Sequence, residues 1–351
     1  MAVMVLGRAF RLAAAGLAVA LASGGSTSAL VKPAPVLTEA TATRITLQEK
    51  AGFLYEHPSD PVRLTAYRVE DDPSHDDKTL RPRSYARWDS TFTKVAEGDQ
   101  VATVSPDSDR LAVIDEMPFR RNAAPVVRVT DRITGETHSV PVGLAAWQGL
   151  SDPRWSPDGR RLLFTTRDHA RGTESPVTVG FVIVDVATRR ASIVRTFTPD
   201  EDEDPDGSYR WSPDGTSVAT IWHHDLKFRD LSGRPIRVIP GVAQEAGLLE
   251  FSPTGQSFIT SCDIGDMTPQ PCVRLLSTGE RLAIAHLNRD PGDRYVAVVG
   301  WYDNDRLVAE RREGRTYTVF VQDLSGKDVK VLARISLGSP EHQVRVHYSR
   351  R

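Results

Sequence analysis

Beyond residue 30 the chain carries no helical stripe; apolar and polar positions alternate in short runs separated by turn residues, the pattern of half-buried strands. One unit recurs. A short apolar run leads into a turn, and a longer alternating run leaves it: VSPDSDRLAV at 104–113, WSPDGRRLLF at 155–164, WSPDGTSVAT at 211–220, FSPTGQSFIT at 251–260 and a weaker WYDNDRLVAE at 301–310. The lead positions Val104, Trp155, Trp211, Phe251 and Trp301 are 51, 56, 40 and 50 residues apart, the spacing of a four-stranded propeller blade. The Ser-Pro-Asp-Gly turn has a mechanism: proline presets φ, aspartate tolerates the bend, and glycine takes the left-handed position. Each copy continues into a hairpin, turning at Ala187-Thr188, Ser232-Gly233 and Ser325-Gly326.

These windows predict an all-β, six-bladed β-propeller of four-stranded antiparallel blades over residues 43–350, with seven blades as the alternative. One spacing before the first clear copy falls near Leu54, in a stretch that alternates without a Pro-Asp-Gly turn. The tail HQVRVHYS at 342–349 reads as one more strand. Blade one is therefore expected to combine N-terminal strands with this tail, which closes the ring and hides both sheet edges.

The Trp-Ser-Pro-Asp-Gly turns at 155–159 and 211–215, each followed by a hydrophobic pair, resemble the repeat of TolB-like β-propellers, relatives of the WD-repeat propellers. The resemblance covers residues 101–334 well and 43–100 poorly. It implies an exported propeller at the cell envelope, often a protein-binding one, and also a fold used as a gating domain in some serine peptidases. The expectation here is a propeller without TolB's N-terminal α/β domain and without a peptidase's hydrolase domain.

Composition narrows the partners. Of 351 residues 40% are hydrophobic and 26% charged, and 44 Lys+Arg face 46 Asp+Glu. That is the balance of an ordinary globular chain, with no basic excess to neutralise a phosphate backbone, so no nucleic-acid partner is expected. Arg8 and Arg11 precede the apolar run LAAAGLAVALA at 12–22, and SGGSTSA follows. This is the layout of a signal peptide over residues 1–29, cleaved after Ala22 or Ala29, followed by a linker at 30–42. The apolar run is too short to span a bilayer, so a secreted or extracytoplasmic monomer with no membrane span after cleavage is expected. Cys262 and Cys272, between two strand-like runs, read as a disulfide across the mouth of a hairpin loop.

For chemistry the sequence is sparing. It holds no nucleophile elbow, no HExxH and no phosphate-binding loop. His342 and His347 are five apart on a predicted strand, hence on opposite faces, and read as surface residues. His223-His224-Asp225 reads as a turn that can direct at most one histidine with Asp225 toward a metal. Asp202, Asp204 and Asp206 before Gly207 form the first half of a calcium loop, but its twelfth position is Pro213, where a bidentate Glu belongs. Calcium is the single cofactor considered. Long connections at 115–125, 167–178, 198–207 and 263–271 all fall between the second and third strands of a blade or between blades. Antiparallel order places those on one rim, where Arg120, Arg121, Arg167 and Arg171 sit beside the acidic loop. That rim is the expected surface for a protein or peptide partner. The function expected is a non-enzymatic binding scaffold. The alternative is a lyase or lactonase with its site in the central channel, but the inner-strand sequences offer Glu250 with Arg154 or Arg210 as their few polar members, without a histidine–carboxylate set.

Overall fold

The computed structural model describes residues 42–48, 51–71, 81–115, 124–145, 147–168, 177–196, 207–243, 248–262, 270–287, 295–337 and 342–351, all within the compact unit Val36–Arg351. The leader, the linker, the half calcium loop and Arg120, Arg121 and Arg171 lie outside the described residues. Described secondary structure is all strand but for one helical-turn residue at Gln48.

Chain order runs as follows. A hairpin of β1 (Thr43–Thr46) and β2 (Gly52–Glu56) comes first. Blade one takes β3 (Val62–Asp71), β4 (Arg83–Trp88) and β5 (Thr91–Glu97). Blade two is β6 (Gln100–Val104), β7 (Arg110–Asp115), β8 (Val126–Asp131) and β9 (Thr137–Pro141); blade three is β10 (Gln148–Trp155), β11 (Arg161–Asp168), β12 (Val177–Asp185) and β13 (Arg190–Arg195). Blade four is β14 (Arg210–Trp211), β15 (Ser217–Trp222), β16 (Asp225–Asp230) and β17 (Pro235–Ile239); blade five is β18 (Glu250–Phe251), β19 (Ser257–Cys262), β20 (Gln270–Leu275) and β21 (Arg281–Ile284). Blade six is β22 (Tyr295–Trp301), β23 (Arg306–Glu313), β24 (Thr316–Asp323) and β25 (Asp328–Ser336), and β26 (His342–Arg350) ends the chain. Every blade is an antiparallel sheet ordered from the inside outward, so the fold is the expected six-bladed propeller.

The ring closes at blade one. β26 supplies its innermost strand, pairing with β3 from His342 opposite Asp71 to Arg350 opposite Val62. The stretch around Leu54 departs from the expected pattern: β2 extends the outside of blade six, with Gly52, Phe53 and Leu54 opposite Ile335, Arg334 and Ala333. Gly52 permits this docking. Its φ is 139°, and a Cβ there would lie 2.0 Å from the Arg334 carbonyl oxygen, an approach that glycine alone allows. The chain then turns at Asp60, whose buried carboxylate accepts hydrogen bonds from Tyr302 (2.7 Å) and the His57 amide (2.9 Å) and pairs with Lys330 at 2.5 Å. At the other terminus Arg351 reaches Glu56 and the Pro58 carbonyl. The first and last described strands are thus fastened to the same two blades.

Six apolar clusters fill the six gaps between successive blades. The gap between six and one holds Tyr67, Phe92, Tyr317 and Val346. The gap between two and three holds Ile114, Leu162 and Phe164, and that between four and five Phe228 and Phe258. The gap between one and two is small-residue, with Ala66, Ala86, Ala96 and Ala102. Between three and four lie Phe181 and Trp211, and between five and six Ile259 and Trp301. Such two-sided packing explains why central strands such as β11 and β12 bury residues on both faces.

The repeat turns join neighbouring blades at their rim. Gly159, Gly215 and Gly255 have φ of 66°, 68° and 69°, and Ser108, in the equivalent position, has 68°. The Gly159 and Gly215 carbonyls each accept a guanidinium from the preceding blade, Arg110 and Arg161, both at 3.0 Å.

Candidate functional site

The inner strands surround a central channel whose mouth opens on the rim of the short turns. A cavity of about 340 Å³ at this mouth is lined by Pro106, Pro157, Pro213 and Pro253, by Trp155, Trp211 and Phe251, and deeper by Arg154, Arg210, Glu250 and His347. A second cavity of about 350 Å³ shares Arg154, Glu250, His347 and Arg350 and adds Asp152, Glu310 and Arg345. The lumen therefore grades from a proline and aromatic collar to a charged interior.

The repeat residues position that interior. Trp155, Trp211 and Trp301 are buried between blades, as their place at the end of each inner strand predicts. Trp211 Nε1 donates to the Arg154 carbonyl (3.0 Å), and Trp301 Nε1 to the Glu250 carbonyl (3.1 Å). Each tryptophan thus holds the backbone of a channel residue in the preceding blade. Phe251 is half-buried, packed against the cluster of Phe228 and Phe258.

Charge is concentrated on this frame. Glu250 Oε1 lies 3.1 Å from Arg154 Nη2 and 3.4 Å from Arg210 Nε. Asp152 sits in a bulge of β10 with φ 52° and accepts a hydrogen bond from the Ser208 hydroxyl. Burial works to raise the Asp152 carboxyl, but Arg210, Ser208, Arg154 and Arg167 together hold it below its ordinary range. Burial lowers the Arg210 guanidinium, helped by Arg154 and opposed by Glu250 and Asp152.

Two further groups behave differently. Glu310 lies on β23 opposite the small Ala297, which leaves its carboxyl open to the lumen. Burial pushes it up to about 7, against the pull of Arg345. His347 is held at about 4, first by burial and then by Arg154 and Arg345, with Asp152 opposing and Arg68 adding to the effect. Around pH 7 His347 is neutral and Glu310 is about half protonated.

This cluster corrects two sequence expectations. His347 is a channel residue, while the expectation placed it on the surface. A histidine and three carboxylates do share the lumen, although the inner-strand sequences show no such set. The reason is that the set is not confined to the regular inner strands. His347 comes from the terminal strand, Glu310 from a second strand behind an alanine, and Asp152 from a bulge. The one local signal is the polar Glu310 inside LVAE; His347 falls in the polar phase of HQVRVHYS with Gln343 and Arg345 and does not stand out.

Other predicted residues fall as follows. Arg167 Nε lies 3.4 Å from the Ser151 hydroxyl on the neighbouring inner strand, directed toward the channel wall. Cys262 and Cys272 are disulfide-bonded across β19 and β20, Cα atoms 5.6 Å apart, at the mouth of the 263–269 connection. His223 and His224, at φ 48° and 70°, make the tight turn between β15 and β16. There His224 Nδ1 lies 3.0 Å from the Ala243 carbonyl, and Asp225 accepts the Gly241 amide at 3.0 Å. This turn fastens one loop to the next. Among the described residues no group of three His, Cys, Asp or Glu side chains is arranged to hold a metal ion, and no helix is long and apolar enough to cross a membrane.

No family model matches the chain, and no curated protein matches it. Solved structures do. TolB from Acinetobacter baumannii is 16% identical with a TM-score of 0.49, over 82% of this chain and 66% of that one. A putative TolB from Agrobacterium tumefaciens is 14% identical with a TM-score of 0.45, over 82% of this chain and 99% of that one. Porphyromonas gingivalis dipeptidyl peptidase 4 is 12% identical with a TM-score of 0.44, over 84% of this chain and 52% of that one. The chain thus spans just under two thirds of the Acinetobacter protein and about half of the peptidase.

Proposed function

We propose that this chain is an exported, non-catalytic propeller that serves as a binding scaffold for a protein or peptide at the cell envelope. The observation that carries the reading is how the lumen carboxylates are used. Glu250 is held between two guanidiniums and Asp152 is kept ionised by arginines and Ser208. Asp152, stabilised in that way, is a poor proton acceptor, and the cluster favours a rigid, charged surface over turnover. The disulfide fits an oxidising compartment. The partner surface we assign is the rim of the long connections. The strand ends Asp115, Asp168, Arg195 and Cys262, from which they leave, alternate with the short-turn ends along each antiparallel blade, and exposed Trp147 lies in the connection between blades two and three.

One observation favours the alternative of a lyase or lactonase: Glu310, at about 7, is poised for acid–base work. Charge reversal separates faces. Reversing Arg120, Arg121, Asp202 and Asp204 is expected to abolish capture of the partner from an envelope fraction, while reversing Arg189, Arg234 and Lys327 on the short-turn rim leaves it. The opposite outcome puts the partner on the wrong face for this reading. Lactone or polyuronide turnover lost in Glu310→Gln establishes the enzyme instead.

A further inference from the structure

We propose that the lumen is a binding site for a small organic carboxylate, its head between Arg154 and Arg345 beside His347 and its apolar body against Trp211 and the proline collar. The site is separate from the rim assigned above and does not depend on it.

Size comes first. The two cavities, about 340 and 350 Å³ and sharing Arg154, Glu250, His347 and Arg350, offer the volume of an ordinary ligand pocket. Polarity is graded along one axis, so a ligand with one charged end and one apolar end matches the walls throughout.

Charge sets the sign. Arg154, Arg210, Arg345 and Arg350 line the space, against the ionised Asp152, Glu250 paired with two of these arginines, and Glu310, which is about half ionised near pH 7, so the positive groups still prevail. The Arg345 side chain is 59% exposed and lines the second cavity. Its Nε pairs with Glu70 at 2.5 Å, but that carboxylate is already bound by Arg68 at 2.6 Å. The outer nitrogens of Arg345 have no hydrogen-bond partner among the described residues. Arg154, 37% exposed, uses one nitrogen on Glu250. Two partly exposed guanidiniums facing a neutral imidazole form a fork-shaped donor set suited to a carboxylate. The low basicity of His347 comes first from burial and then from these same arginines, in keeping with a positive field. Three lumen carboxyl groups disfavour a phosphate dianion, which would meet stronger repulsion than a monoanion.

The test uses 3-phenylpropionate, which carries a carboxylate and an apolar body, and its amide 3-phenylpropanamide, which lacks the charge. Binding to the intact chain is followed by calorimetry at low salt. The acid should saturate with a Kd of about 1 mM or tighter, and the amide should bind at least about tenfold more weakly. Arg345→Gln should weaken the acid by about tenfold and leave the amide unchanged, and Arg345→Lys should recover part of the loss. Circular dichroism of each variant guards against unfolding, because Glu70 keeps Arg68 in both. A second variant, Phe251→Leu in the aromatic collar, should weaken acid and amide alike. Equal binding of acid and amide, acid binding indifferent to Arg345→Gln, or no saturation by about 10 mM overturns the proposal.

Discussion

The gaps between the blades and the lumen they enclose are built on opposite principles. Between blades, Phe164, Phe181, Phe258 and Phe320 are fully buried, and neighbouring sheets meet through hydrocarbon. In the lumen, on other strands of the same ring, Arg154, Arg210, Glu250, Glu310 and His347 line shared cavities. Burying apolar surface stabilises the ring. Gathering partly desolvated charges does not, and replacing such groups by apolar ones is often neutral or stabilising. The lumen therefore holds chemistry that the fold does not need, which is the physical argument for locating a ligand site there.

Substitutions can break this contrast. The largest effect is expected for Phe164→Ala between blades two and three. It should remove about 3–5 kcal/mol of stability in urea unfolding. A loss under about 1 kcal/mol would mean the gap can collapse and the packing account is wrong. Next comes Asp60→Ala, which leaves Lys330 and Tyr302 buried without their shared acceptor. A loss of about 3 kcal/mol is expected, with the N-terminal hairpin becoming protease-sensitive. Smallest is Arg189→Ala, which removes an exposed pair with Glu136 at 2.8 Å; less than about 0.5 kcal/mol should change. If that surface pair mattered as much as Asp60, charge placement would not distinguish the regions.

How far the residues alone reveal these regions follows the same division. The interblade packing is legible because it repeats: Trp155, Trp211 and Trp301 recur before the same turn, and Gly159, Gly215 and Gly255 in it. The closing strand is legible from the alternation at 342–349. The docking of β2 on blade six is not, because it depends on a close approach at Gly52, which has no periodic signature. The lumen is only partly legible. Glu250, Arg154 and Arg210 follow from inner-strand positions. Glu310 is visible only when Ala297 is known to lie opposite it. His347 needs β26 to be the inner strand of blade one, a fact of ring closure and not of local pattern. Arg120, Arg121, Arg171, Asp202, Asp204 and Asp206 lie outside the described residues, so the calcium and rim assignments rest on spacing and topology.

The contrast itself is tested most directly by stability as a function of pH. Glu310 keeps its proton in the fold to about 7, against 4.5 as its ordinary value. The unfolded chain therefore loses the proton first, and this group removes stability as pH rises from about 4.5 to 7, by roughly 3 kcal/mol in full. His347 acts in reverse. The unfolded chain gains a proton near 6.5, while the folded one declines it until about 4, so stability is lost as pH falls through that window, by a similar amount. In the natural chain the two slopes oppose each other. Urea unfolding of Glu310→Gln and His347→Gln between pH 4 and 8, each taken as a difference from the natural chain, separates them. The account predicts that the Glu310→Gln difference becomes more stabilising as pH rises to 7, and the His347→Gln difference more stabilising as pH falls below 6.5. Two flat difference curves would contradict it, because they would mean that the lumen charges are solvated as at an open surface.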